Sequence, residues 1–196
     1  MATPRELIQT ARSIYNDADS VLYRKDDDEL LSYVNDAIRE ISALRPEIWN
    51  TIGDIECTEG EVEQAVTFAD AQVLVDVLCI HGGSVIHFAD MPVMDRFRPG
   101  WRSDDAGAAQ NWMRKQGDPL RFFIWPKAPA SQTIDVMYVR VPLVLTIDDP
   151  INEVPVGYHP AIVDYVVYRA ESADDEHSNS GRATAHFNSF VAKVKG

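Results

Sequence analysis

The sequence predicts an α+β fold: a helical bundle formed by residues 1–49 and 156–196, with a β-rich insert at residues 50–155 between them. Three observations carry this expectation. Apolar residues recur at helical spacing near both ends of the chain, and the middle shifts to the two-residue period of strands. The order helices, strands, helices also lacks the strand–helix alternation of a parallel α/β sheet.

The first helix is marked by its capping chemistry. Thr3 can cap the free amides, Pro4 suits the first helical position, and Glu6 can reach back to close a capping box. Leu7, Ile8, Ala11, Ile14 and Tyr15 form its apolar stripe, and Asn16 to Ser20 is turn chemistry. A second helix starts in "KDDDELL", with Asp26 as cap, Glu29 three residues on, and carboxylates at the positive end of the dipole. Leu30, Leu31, Val34, Ala37, Ile38, Ile41 and Leu44 continue it. Pro46 stops it by disfavouring the helical region at Arg45.

The middle reads as strands. "QVLVDVLCIHGGSVIHF" alternates through Val73, Val75, Val77, Cys79 and His81, with Gly82, Gly83 and Ser84 as the turn of a β-hairpin. A short helix is expected from Pro92 to Phe97, then a polar loop. "LRFFIWP" and "QTIDVMYVRVPL" are two further strands, joined across "KAPAS". The loop "TIDDPINEVPVGYHP" then leads into a helix that is apolar nearly all round: Ala161, Ile162, Val163, Tyr165, Val166, Val167 and Tyr168, interrupted by Asp164. Such a helix must be covered on more than one side. A last helix is expected with Asp174 or Asp175 as cap and Ala183, Phe187, Phe190 or Val191, and Val194 as stripe. It crosses weak helix formers between Ser178 and Gly181.

Composition narrows the function. Eighteen Lys and Arg against 31 Asp and Glu leave a net charge of −13, which repels phosphate backbones and anionic lipids. Apolar runs fall short of the roughly 20 residues that span a bilayer, so no membrane partner is expected. The start "MATPRELIQTARSIYND" lacks the apolar core of a signal peptide, and two cysteines are too few for a disulfide framework. Synthesis in a reducing cytoplasm is the expectation.

No catalytic motif emerges. Cys57, Cys79, His81 and His87 are the best metal ligands by type, yet no CxxC, HxxxH or HExxH spacing is present. "HGGS" is neither a phosphate loop nor a nucleophile elbow, and "DDDE" and "SADDE" lack the order of a calcium loop. Trp101, Trp112, Phe122, Phe123 and Trp125 lack the cationic face of a nucleic-acid stacking platform and read as core or subunit interface. No enzyme activity, cofactor or metal is expected.

Three blocks carry a resemblance. "TARSIYNDADSVLYRKDDDELLSYVNDAIREISALRP", "LRFFIWPKAP" and "VPVGYHPAIVDYVVYRAESADDEH…AHFNSF", in this order, resemble a family of tailed-bacteriophage head-to-tail adaptor (connector) proteins. The similarity runs from Thr10 to about Val191. The polar "DDEHSNSGRA" and the Trp101 to Trp112 loop depart from the pattern. The resemblance implies a virion structural protein at the head–tail interface, a ring, expected to be dodecameric, that joins the portal protein to a tail nozzle or tail tube protein. Genomic DNA would pass through its negative lumen without specific binding.

It also suggests what covers the all-apolar helix. Ile162, Tyr165, Val166, Tyr168 and Arg169 become candidates for the interface between neighbouring subunits; a central helix of a monomeric bundle would need the same burial. The C-terminal Phe187, Phe190, Val191, Lys193, Val194 and Lys195, apolar anchors with a basic tip, become candidates for docking on the portal. Two alternatives stand beside this reading. One is a tail-side nozzle or tail terminator subunit. The other is a cytoplasmic α+β enzyme or ligand-binding domain with an aromatic pocket around Trp101 to Trp125.

Overall fold

In the computed structural model, which describes residues 2–17, 24–172 and 180–196, helices stand at both ends of the chain with two sheets between them. This is the α+β order that the periodicities predict. The chain divides into a helical unit, residues 1–48 and 142–196, and a β unit, residues 49–141.

In the helical unit, α1 (Pro4–Ile14) opens with the capping box: Thr3 Oγ1 accepts from the Glu6 amide at 3.4 Å, and Glu6 accepts from the Thr3 amide at 3.3 Å. At the start of α2 (Asp27–Leu44), Asp26 accepts from the Glu29 amide at 2.7 Å; the helix stops at Arg45, before Pro46. After the insert come α4 (His159–Ser172) and α5 (Ser180–Lys195). The caps expected at Asp174 and Asp175 lie outside the described residues.

Helix α4 packs against α1, α2 and α5 alike. Its Ala161, Ile162, Val166 and Val167 are fully buried among Leu7, Ile8 and Ala11 of α1, Leu30, Val34 and Ile41 of α2, and Phe190 and Val194 of α5. The all-apolar circumference therefore has its cover within one chain. Near α1, buried Arg12 donates to Asp17 at 2.6 Å, to Asp27 at 2.7 Å and to the Lys25 carbonyl at 2.8 Å. That pairing compensates two charges that would otherwise be costly to desolvate.

The segment after Pro142, which the expected boundary at residue 155 assigns to the insert, instead joins the helical unit. The reason is a side-chain clamp. The Asn35 amide donates to the Leu145 carbonyl at 3.1 Å and accepts from its N–H at 2.8 Å, while Ile151 and Val154 are buried.

The β unit holds two sheets. In the first, β1 (Asn50–Glu56), β7 (Thr133–Arg140) and β3 (Ala71–Ile80) lie in the order β1-β7-β3, all antiparallel. The unit's two chain ends meet here, because Asn50 pairs with Val139. In the second sheet, β2 (Glu63–Ala65), β6 (Arg121–Trp125), β5 (Asn111–Arg114) and β4 (His87–Phe88) run in the order β2-β6-β5-β4, with β4 parallel to β5. Ile55, Leu74, Val77, Trp112, Phe122, Ile124, Ile134 and Val136 form the core. Gly53 makes room for the Phe68 ring, since a Cβ there would come within 2.6 Å of it.

Two expectations need correcting. Strand β3 does not alternate through Val73, Val75, Val77 and Cys79. Register shifts interrupt it three times, so Leu74 and Val77 are the buried residues. The Gly82 turn, at φ +68°, does reverse the chain. The hairpin is nevertheless brief, with one Cys79–Val85 bridge, because the outgoing arm crosses to the other sheet as β4. The short helix α3 (Met91–Phe97) is where it was expected.

Candidate functional site

The residues that could carry chemistry are scattered or occupied. Cys79 Sγ lies 3.3 Å from Asp135 Oδ2, and His81 Nδ1 lies 2.8 Å from Asp135 Oδ1. Burial and then the bond to Asp135 push the Cys79 thiol above its ordinary range, the wrong direction for a nucleophile or metal ligand. His87 pairs with Asn111 in the other sheet, and Cys57 is buried in the core with its thiol pushed up by burial. Among the described residues no group of three His, Cys, Asp or Glu side chains is placed to hold a metal ion. The aromatic middle is structural: Trp101, Trp112 and Phe122 are buried, Trp101 Nε1 donates to Asp95 at 2.8 Å, and Trp125 Nε1 donates to Asp104 at 2.7 Å.

The interface residues expected on α4 are mostly engaged inside the helical unit. Ile162, Tyr165 and Val166 are buried by their own chain and cannot also face a neighbour. Tyr168 and Arg169 are half-buried. Arg169 donates to Asp36 at 3.1 Å and lies 4.7 Å from the centre of the Tyr33 ring. Burial and then the hydrogen bond to Glu29 push the Tyr33 hydroxyl up to about 12.

The expected portal-docking residues divide into two sets. Phe190 and Val194 are buried, with the Phe190 ring 5.0 Å from that of Tyr165. Lys193 donates to Asp164 at 2.5 Å, beside Ser189 at 2.7 Å and His186 at 2.9 Å. Asp164, one of the two carboxylates on α4, thus fastens α5 to it. Burial alone would raise the Asp164 pKa; the bonds from Lys193, Ser189 and His186 outweigh it and hold the carboxyl below its ordinary range. Phe190, Val194 and Lys193 therefore build the bundle, because α4 needs α5 as its cover. Exposed Phe187 and Lys195, with half-buried Val191 between them, form the outward set, spaced four residues apart on α5.

The strongest features left are apolar surfaces, which suit protein contacts. In the helical unit, a groove of about 290 Å³ runs along α2 beside Val144 and Leu145, with Asp28, Leu31, Ser32 and Asp36 among its lining residues. In the β unit, a cleft of about 540 Å³ is lined by Phe88, Met91, Pro92, Phe123 and Arg114. Helix α3 beside it buries none of its residues, and Phe97 is 79% exposed. The sequence reading put Leu143 at the end of a strand, which stops at Arg140, and passed over Val144. Their signal is the run "VPLVL", too apolar for a solvated loop and too close to Pro142 for a helix.

These surfaces are lined by apolar and charged side chains, a geometry that suits binding. Comparison with protein families matches residues 2–195 to the SU10 adaptor protein description. The chain belongs to the SU10 adaptor protein family. The match takes in both units and makes the chain a bacteriophage adaptor, a structural protein by family, with the virion as its place. No curated protein matches it. Among the described residues no helix is long and apolar enough to cross a membrane.

Proposed function

We propose that this chain is a head-to-tail adaptor subunit, forming a dodecameric ring that joins the portal protein to the tail nozzle or tail tube and extends the DNA channel. The observation that carries the reading is the family match across residues 2–195. Outward apolar surfaces on both units fit a protein whose work is assembly, since burial of such surface drives association and charge selects the partner. The net charge of −13 fits a lumen that lets DNA pass without holding it.

The test mixes the full chain with the portal of the same phage and reads native mass and electron-microscope images. A ring of this chain stacked coaxially on the portal, with a tail protein recruited only when the ring is present, is the expected result. A chain that ignores the portal and binds only an assembled tail would overturn the proposal in favour of a tail-side component.

A further inference from the structure

Charge is unevenly divided within the helical unit. Helix α5 carries Arg182, Lys193 and Lys195 and no carboxylate, whereas α2 carries Asp27, Asp28, Glu29, Asp36 and Glu40 against Arg39 alone. Arg182 reaches Glu171 at 3.4 Å and Lys193 reaches Asp164 at 2.5 Å, so both are used inside the chain. Lys195 has no ion-pair partner among the described residues, and neither has Asp28.

Each unpaired charge stands beside an apolar surface of matching extent. Phe187, Val191 and Lys195 form a stripe, and eight residues of helix make it about 12 Å long. The groove along α2 also spans eight residues, from Asp28 to Asp36, with Leu31, Val144 and Leu145 supplying apolar contact. Val144 is 68% exposed there.

We infer that the α5 stripe of one copy docks in the α2 groove of a second copy of this chain, with Lys195 against Asp28. Laid antiparallel, the pair also sets the negative C-terminal end of α5 beside the positive N-terminal end of α2. Val191 and Phe187 then meet Leu31, Val144 and Leu145 as a helix meets an apolar groove. Stripe and groove are different patches, so the contact is heterologous and repeats from copy to copy, as a closed ring requires. The inference rests on the adaptor reading and names the contact that would build its ring.

The test uses the full chain and two variants on exposed positions, Lys195→Glu in the stripe and Val144→Glu in the groove. Thermal melts verify folding, and native mass spectrometry reads assembly, alone and with portal. Each variant by itself should lose assembly, with the dissociation constant between copies raised about tenfold or more. Mixed in equal amounts, the two should form heterodimers that stop there, because the groove of the first and the stripe of the second are intact. Combining Lys195→Glu with Asp28→Lys should restore assembly. Parent-like rings from both variants, or a mixture that gives no heterodimer, would overturn the contact. So would a stripe variant that still forms rings and loses only portal binding, which would give the stripe to the portal. A parent that binds portal as isolated monomers sinks the contact and the ring while leaving portal attachment standing; one that ignores portal yet assembles through these patches sinks the adaptor reading alone.

Discussion

Replacing Phe190 by alanine removes a ring that the sequence would assign to a partner and the structure buries at 1% exposure. The ring lies 5.0 Å from that of Tyr165 and 6.3 Å from that of Phe187, in the interior where α5 covers α4. Truncating a buried phenylalanine costs about 3–5 kcal/mol, a large share of the roughly 5–15 kcal/mol that holds a domain together. In a unit of this size each kcal/mol is worth at least about 4 °C, so the helical unit should melt more than roughly 10 °C lower. Phe187→Ala is the control: the residue is 40% exposed and leans on Tyr168 at 4.9 Å, and its loss should cost about 1 kcal/mol or less. Thermal unfolding followed by far-ultraviolet circular dichroism separates the two. Equal shifts for both variants would refute the division of α5 into a buried and an outward face. By the same physics, deleting Phe190 to Gly196 should unfold the helical unit rather than leave a folded protein that merely fails to dock.

Three further outcomes follow from side chains already placed. Val166→Asp puts an unpaired charge at a fully buried position on α4, at a cost of several kcal/mol, and should leave the helical unit unfolded at room temperature; a parent-like melt would contradict the central place of α4. Arg12→Ala removes the closest cation from buried Asp17, which keeps Arg24 at 4.0 Å and the Tyr15 hydroxyl at 3.1 Å, and should destabilise by about 2–3 kcal/mol in urea titration; a loss below about 1 kcal/mol would mean that these partners suffice. Asp164 has a folded pKa below its ordinary value, so its stabilising contribution is complete above about pH 4 and is lost as pH falls through the lower folded value. The stability gap between the parent and Asp164→Asn should therefore shrink below about pH 4, and a gap constant down to pH 2.5 would show that the carboxylate is not the linked group.

The helices were legible because their signals are local. Thr3 with Glu6, and Asp26 with Glu29, satisfy the same amides that the sequence marks. The strands were harder. β1 contains Gly53 and polar residues because its outer face is exposed, and only pairing with β7 makes it a strand. β3 conceals its register shifts, which depend on its partner and not on its own alternation. The all-apolar circumference of α4 told correctly that every side is covered, but not by which chain; the cover is α1, α2 and α5, residues distant in sequence. Apolar anchors beside lysines on α5 read the same whether they dock elsewhere or close their own bundle. In the structure Asp164 decides between them, since this carboxylate takes its partners His186, Ser189 and Lys193 from α5.

The pairing of Asn50 with Val139 has a kinetic consequence. Helices α2 and α4 must find each other across more than a hundred intervening residues, and closing so long a loop is entropically slow and costly. Once β1 and β7 zip together, Asn50 and Val139 are held about 5 Å apart, and the effective connection from Leu44 to His159 shrinks to roughly twenty-five residues. By the logarithmic scaling of loop closure, this lowers the cost of the later encounter by about 1 kcal/mol. The route of least entropy lets the β1–β7 pairing form before α2 meets α4. A length change at a turn within the insert then leaves the bundle's own folding almost undisturbed, since the β1–β7 seam absorbs it.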